Sequence, residues 1–436
     1  MNTKNIATPV LGAIADDFTG ATDLAINLVN GGFRVIQLLG VPSSETPQLE
    51  NFDAVVVALK TRSIPFADAQ RESEAALNFL RTQKIERFFF KYCSTFDSTV
   101  AGNIGPVTEA LLKLLDQDSV LYCPAFPQAG RTVYKGHLFV GDRLLNESGM
   151  ENHPLNPMHD ADLVRFLGKQ VADKVGLVEY QHLRSVESFA ERRIELGING
   201  CRHIIVDTCD DNNLAVIADG CADDQLVTGG SGLARFLPQA YRKRGIAQAT
   251  ESEASIPSVN GRNLVLAGSC STATLGQVEY MDRRCPHIRI DLSAAVRNAE
   301  AETERLLSLV KDESSAPTIM ISSTDTAERV NAAQNLHGTE RLASAIESVF
   351  GSLCRKLVEE QNFRRIVVAG GETSGEVVRS LGVEALQIGA QICTGVPWTE
   401  TTFKSQGNAI KLALALKSGN FGEENFFESA IGMLNE

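Results

Sequence analysis

Short apolar runs alternate along this chain with longer stretches in which apolar residues recur every three or four positions. The runs VLGAIA (10–15), RVIQLL (34–39), AVVVAL (54–59), RFFF (87–90), VLYC (120–123) and HIIVD (203–207) predict strands. Stretches such as 67–84, ADAQRESEAALNFLRTQK, predict amphipathic helices between them. Alternation of this kind builds a parallel sheet with helices on both faces. The pattern stops near residue 243. Residues 243–261, KRGIAQATESEASIPSVNG, are small and polar and predict a linker. Strand-like runs then resume at NLVLAG (263–268), HIRIDL (287–292), TIMIS (318–322), RIVVAG (365–370) and ALQIGA (385–390). The expected fold is α/β in two domains, 1–250 and 258–436, with a boundary near 255. Each would be a mostly parallel sheet with flanking helices, and the active site would lie in the interdomain cleft. Segment 131–163 breaks the pattern. It is rich in turn residues, carries Pro154 and Pro157, and reads as a hairpin and loop beside the sheet.

Composition narrows the classes. The 436 residues suffice for two or three domains, and 43% hydrophobic content is that of an ordinary globular protein. A net charge of −13 argues against non-specific nucleic-acid binding, though a local basic cluster could still hold a small anion. Nine cysteines stand singly, without CxxC or metal-like Cys/His spacing, and read as reduced core thiols. No run is long enough for a membrane span and the first residues lack a signal-peptide core, so a cytoplasmic location is expected.

The chemistry gathers where strands end. Open α/β sheets bind ligands just past the carboxyl ends of their strands. The run at 10–15 ends there in adjacent acids, Asp16 and Asp17, of which one is an N-cap candidate for the next helix. The run at 54–59 leads to Lys60 and Arg62, and that at 87–90 to Lys91, Tyr92, Cys93 and Ser94. Arg grips a carboxylate or phosphate with two parallel hydrogen bonds, and Lys supplies a mobile point charge. Arg62 and Lys91 are assigned to a substrate carboxylate or a transferred phosphate, and Asp16 or Asp17 to an acceptor hydroxyl. Cys93 as a nucleophile is disfavoured, because no His accompanies it. Residues 91–106 crowd Ser, Thr, Asp and Asn before a helix starting near Pro106, a place suited to an anion or a polyhydroxy compound.

The second half is different. LAGSCSTAT (266–274), VAGGETSG (368–375) and TGGSG (228–232, contributed from before the linker) combine glycines with hydroxyls. Such turns let backbone approach phosphates closely. CTGVPW (393–398) and KSGNFG (417–422) are further small-residue turns that could flank a nucleotide base. There is no GxxxxGK[ST] loop and no GxGxxG after a strand, which disfavours a P-loop enzyme and a nicotinamide oxidoreductase. A charged half and a phosphate-cradling half suggest phosphoryl transfer, which needs positioning, cations, Mg²⁺ and a base near the acceptor. A nucleotide-binding sensor without catalysis is the reading from another class.

IADDFTGATD, KYCSTFDSTVAGNIGPV, CPAFPQAGRTVYKGHLFVGDRLL, NHPLNPM, GSCSTAT, VAGGETSG and TGVPW, in that order, resemble the four-carbon acid sugar kinases over nearly the whole chain. The resemblance implies an N-terminal domain for the sugar acid, a C-terminal domain for ATP, and phosphorylation of a terminal 4-hydroxyl. Threonate and erythronate kinases usually carry K-x-D-S-T-x-R-G. This chain has Cys93 in place of that Asp and Asp97 in place of that Arg, which resembles the 3-oxo-tetronate branch, with D-threonate or D-erythronate 4-kinase as the alternative. The resemblance implies that Asp16, Arg62 and Lys91 through Ser94 touch the sugar acid. It further implies that Ser269, Gly370, Gly371, Glu372, Thr373, Gly395 and Gly419 touch ATP, with Mg²⁺ riding on the phosphates and no dedicated metal ligands in the protein. Asp16, Asp17 and Lys91 are the catalytic candidates. The partners are then the sugar acid and ATP, with no nucleic acid and no membrane; a homodimer stays open.

Overall fold

In a computed structural model, residues 8–42, 48–152, 156–248, 256–323, 336–405 and 407–435 are described. Pro154 and the 255 boundary therefore lie outside the described residues. The chain divides into two compact units, Met1–Ala254 and Ser255–Glu436.

The first unit carries an eight-stranded sheet. Its strands are β1 (Leu11–Ala15), β2 (Val35–Leu39), β3 (Ala54–Ala58), β4 (Phe88–Lys91), β5 (Val120–Cys123), β9 (Lys174–Val178), β10 (Cys201–Val206) and β11 (Leu226–Gly229). Three more, β6 (Arg131–Tyr134), β7 (His137–Val140) and β8 (Arg143–Leu144), form a separate antiparallel sheet. The large sheet runs β2-β3-β1-β4-β11-β5-β10-β9 with every neighbouring pair parallel. Both faces are covered, so β1 and β3 are buried at every position and read as unbroken apolar runs. Gly12 interrupts β1 because a Cβ there would press on Leu80 of helix Phe66–Thr82. From β1 the chain reaches β2 and β3 on one side and β4 on the other. This reversal opens a crevice at β1's carboxyl end. The hairpin expected in 131–163 is β6–β7, tied to the large sheet by a bridge between Val133 and Thr208.

The second unit contains β12 (Arg262–Ala267), β13 (His287–Arg289), β14 (Thr318–Ser322), β15 (Phe363–Ala369), β16 (Ala385–Cys393), β17 (Val396–Ser405) and β18 (Asn408–Lys417). Their order is β13-β14-β12-β15-β18-β17-β16. The first five are mutually parallel, whereas β17 runs antiparallel to both neighbours.

Several expectations need correction. TGGSG (228–232) ends β11 and belongs to the first unit, where Gly230 backs directly onto the Pro124 carbonyl. Strands β9, β11, β17 and β18 were not expected: β9, β11 and β17 carry no clean apolar run, β17 holds Pro397, a residue that argues against a strand, and β18 has the apolar run LALAL (412–416) only in its second half. CTGVPW is the β16–β17 hairpin turn. Its Trp398 is a core side chain whose Nε1 donates to the Ala430 carbonyl (2.9 Å) and anchors helix Phe426–Met433. No helix among the described residues is long and apolar enough to cross a membrane.

Candidate active site

Parallel pairing brings the ends of β3, β1 and β4 to one rim. The Asp16 N–H donates to the Lys91 carbonyl (3.0 Å), and the Asp16 carbonyl accepts from Thr61 N (2.9 Å) and Arg62 N (3.2 Å). Register therefore fixes Asp16, Arg62 and Lys91 side by side. Arg62 grips Asp16 with both edges of its fork, Nε to Oδ2 at 3.0 Å and Nη2 to Oδ1 at 2.8 Å. The same Nη2 lies 2.5 Å from Asp17 Oδ1, and Nη1 lies 3.5 Å from Asp97 Oδ2. Asn103 holds the loop that carries Arg62, donating from Nδ2 to the carbonyls of Thr61 (2.8 Å) and Ile64 (2.9 Å). Burial opposes charge on the guanidinium, but Asp16 and Asp17 outweigh it and hold the Arg62 pKa above its usual range. Burial pushes the Asp16 carboxyl up from the ordinary carboxylate range against the pull of Arg62.

Asp17 is the N-cap of helix Phe18–Asn30, accepting from Gly20 N at 3.0 Å. Gly20 must be small because a Cβ there would meet the Asp17 carboxylate and come within 3.2 Å of Lys91 Nζ. Lys91 is buried and donates to the Tyr92 carbonyl at 2.7 Å. An ammonium has three protons, so two stay available. Cys93 contacts Thr95 Oγ1 at 3.0 Å, and Ser94 lies beside Gly230. Tyr92 departs from the expected role: its ring is fully buried among Phe90, Phe96 and Tyr122, and its hydroxyl pairs with Thr228 at 3.1 Å. It offers a ligand no surface.

Asp23 was not anticipated. It lies on the helix face shared by Gly20 and Asn27, accepts from Ser231 Oγ, and receives Asn27 Nδ2 at 3.3 Å. Burial raises its pKa, opposed by Lys91 and, more weakly, by Arg131 of β6. The signal was the last residue of IADDFTGATD, a carboxylate in an otherwise apolar helical pattern.

In the second unit, β12, β15 and β18 end together. Gly268 N and Ser269 N donate to the Ala369 carbonyl (2.9 and 3.1 Å), and Gly370 N donates to the Lys417 carbonyl (2.9 Å). Gly370 has φ +136°, and a Cβ on it would crowd Thr373 Oγ1 (3.0 Å) and Ser269 N (3.3 Å). Gly371 opens helix Gly371–Ser380 with free space where a side chain would project, and Glu372 beside it is exposed. The Gly419 carbonyl accepts from Ser271 Oγ (2.6 Å) and Thr274 Oγ1 (2.9 Å). Gly395 (φ +78°) backs onto the Phe421 ring at 3.3 Å. These turns gather hydroxyls beside the first N–H groups of helix Gly371–Ser380, donors of the kind that bind phosphates. Sequence reasoning quoted the turn at 417–422 but missed Lys417. This lysine is 1% exposed and donates to the Gly419 carbonyl (3.0 Å) and Thr274 Oγ1 (3.2 Å). Burial brings its pKa down to about 8.

Family models match both units: a sugar-binding N-terminal domain over residues 11–237 and a nucleotide-binding C-terminal domain over residues 264–427. A curated 3-oxo-tetronate kinase of Pseudomonas savastanoi pv. phaseolicola is 49% identical, with 99% of this chain and 98% of that protein covered. The 3-oxo-tetronate kinase of Cupriavidus necator is 48% identical over 98% of this chain and 97% of its own. The chain belongs to the 3-oxo-tetronate kinase family. A solved Haemophilus influenzae protein superposes with a TM-score of 0.86 at 42% identity, covering 97% of this chain and 100% of that one. The expected resemblance and the two-domain α/β fold are both borne out. In this member of the 3-oxo-tetronate kinase family, one of the two positions that depart from the threonate kinase pattern, Asp97, approaches the Arg62 guanidinium, and the other, Cys93, contacts Thr95.

Proposed function

We propose that the protein is an ATP-dependent kinase that phosphorylates the 4-hydroxyl of a 3-oxo-tetronate in the cytoplasm. The observation that carries this reading is the buried carboxylate of Asp16 at a strand-end crevice, flanked by the cations of Arg62 and Lys91. Lys91, with two spare protons, holds the anionic sugar acid. Asp16 accepts the 4-hydroxyl proton; a carboxylate has about four lone-pair directions, so bidentate Arg62 leaves room for it. Its upward-shifted pKa suits a base better than an ordinary surface carboxylate would. Arg62 orients Asp16 and keeps it anionic in a buried setting. Asp97, where threonate kinases usually have Arg, adds a third carboxylate around Arg62 and changes the charge beside the proposed sugar site.

The nucleotide supplies the transferred phosphoryl group, with Mg²⁺ shielding its phosphates. Ser269 and Gly370 through Thr373 are proposed to hold those phosphates. The tight turn at Gly370 and the open start of helix Gly371–Ser380 fit such a group. Gly395, Phe421 and Gly419 would line the nucleotide further out.

The test is a coupled ADP-release assay over L-threonate, D-threonate, D-erythronate and the two 3-oxo-tetronates. The expected result is turnover of a 3-oxo acid at least about tenfold faster than of any tetronate, the scale set by one recognition contact. Preference for D-threonate or D-erythronate would move the assignment to the alternative branch. Inactivity on all five acids would sink the kinase reading.

A further inference from the structure

A cavity of about 330 Å³ lies at the amino ends of β5, β9 and β10, the opposite end of the first unit's sheet from Asp16. Three side chains with metal-binding atoms converge on it. Glu109 comes from helix Ile104–Leu115, Asp173 immediately precedes β9, and His203 is in β10. One candidate ligand atom from each lies within 4.8 Å of the other two. His203 is 1% exposed, and its Nδ1 is 2.9 Å from the buried Tyr122 hydroxyl. Its Nε2 faces Glu109 Oε1 at 3.6 Å, beyond hydrogen-bond reach.

A buried imidazole whose outer nitrogen is held by a hydroxyl, with its inner nitrogen aimed at two carboxylates, has the construction of a metal ligand with its supporting partner. We propose that Glu109, Asp173 and His203 form a site for a divalent transition-metal ion of the Zn²⁺ class, separate from phosphoryl transfer. Mixed imidazole and carboxylate donors suit such ions. Donation of Nδ1–H to Tyr122 leaves the Nε2 lone pair facing the ion.

Neighbouring groups allow the closure that binding requires. Metal–ligand distances near 2.0–2.2 Å set ligand atoms about 3.3 Å apart, so the side chains must move inward by roughly 1 Å. Asp173 is exposed and Glu109 is partly exposed, so both can move toward the fixed imidazole. Arg202 Nη1 engages Asp173 Oδ2 at 3.2 Å and leaves Oδ1 for the ion; Glu109 Oε1, the oxygen facing His203, accepts from Ala172 N at 3.1 Å and keeps a second lone pair, with Oε2 beside it. A bound ion would tie the helix to the edge strand β9 and its neighbour β10. The site is thus a stabilising clamp.

The test uses the full chain, stripped with chelator and titrated with Zn²⁺ and with Co²⁺. The expected result is one saturable equivalent and a raised Tm. Asp173→Asn and Glu109→Gln should each weaken binding more than about 100-fold, and Tyr122→Phe about 10–100-fold, the scale of a lost supporting partner. Asp173 is exposed, so its variant tests the site without disturbing the core, and its kinase activity should be unchanged. Absence of a saturable equivalent would overturn the proposal. So would equal affinity in Asp173→Asn and Glu109→Gln, or a Co²⁺ spectrum with thiolate charge transfer, which would place the ion on cysteines.

Discussion

At the carboxyl rim of the first unit, Arg62 and Lys91 stand among Asp16, Asp17, Asp23 and Asp97. At the matching rim of the second, the buried Lys417 is surrounded by carbonyl and hydroxyl oxygens, and the turns are built of Gly268, Gly370 and Gly419. The two rims share a topology and, on the proposed assignment, would meet their ligands differently. The first offers side-chain charges held in register by strand pairing, so its selectivity resides in ionisable groups. The second would offer the N–H groups at the open start of helix Gly371–Ser380 and the space left by its glycines, so its selectivity would reside in shape. A reactive acceptor needs a base and a charge clamp; a phosphate chain common to all nucleotides needs a shape.

The sharpest way to break this contrast is to remove a charge from the first rim. Asp16→Asn keeps size while removing the proposed base, and it turns one of the two acceptors of the Arg62 fork into a donor. Turnover should fall about 10²-fold or more, with the nucleotide KM unchanged. In the wild type, kcat/KM should rise with pH as Asp16 loses its proton, and burial places that limb above the ordinary carboxylate range. Steady-state profiles of both proteins decide the matter: a variant that kept the limb, or near-wild-type turnover, would reassign the base.

Lys417 is the exception on the second rim. Its pKa is about 8 in the folded protein against an ordinary 10.5. Below about pH 8 both folded and unfolded chains carry the proton, and the cost of burying it is fully present. Between about pH 8 and 10.5 the unfolded chain binds more protons, so stability rises with pH. The gain is about 3 kcal/mol across that window, at about 1.4 kcal/mol per pH unit. Lys417→Met should lack this component. Urea titrations of both proteins near pH 7 and near pH 10 measure it; parallel changes in the two would show that the lysine keeps its charge on burial.

Gly370→Ala probes the glycine rim itself. At φ +136°, beside Thr373 Oγ1, an added methyl strains the turn by about 1–3 kcal/mol. The nucleotide KM should rise about tenfold while the sugar-acid KM holds. An equal rise in both would mean that the two rims are not separable in function.

What the sequence disclosed follows the same division. Strand ends of β1, β3 and β4 were legible because their apolar runs stop at a charge, as at Ala15–Asp16, Leu59–Lys60 and Phe90–Lys91. Pairing between parallel neighbours then did the rest. Asp23 was hidden because a carboxylate in a helical pattern ordinarily faces water, and only the Ser231 turn from β11 explains its burial. Asn103 was hidden because it acts on carbonyls of a loop some forty residues earlier. In the second unit, β17 escaped notice because its polar residues and Pro397 lie in an antiparallel ladder, and β18 escaped although its second half, LALAL (412–416), is an apolar run; Lys417 ends that unrecognised strand.

The smallest expected effect separates the two adjacent acids. Asp17 caps helix Phe18–Asn30 through Gly20 N and also touches Arg62. Capping needs only a side-chain oxygen, whereas the contact with Arg62 uses charge. Asp17→Ala should cost about 1 kcal/mol of stability, and Asp17→Ser should restore most of it. If capping is the principal role, Asp17→Ser will turn over substrate within a few-fold of wild type, because Asp16 still occupies both edges of the Arg62 fork. A serine variant that folds with wild-type stability yet loses about 10²-fold in kcat would instead make Asp17 the base and Asp16 the anchor of Arg62. Denaturation and kinetics on this pair of variants separate two carboxylates that sequence alone leaves equivalent. Their difference arises from one peptide step at the end of β1, which leaves Asp16 in the buried crevice and Asp17 at the start of the helix.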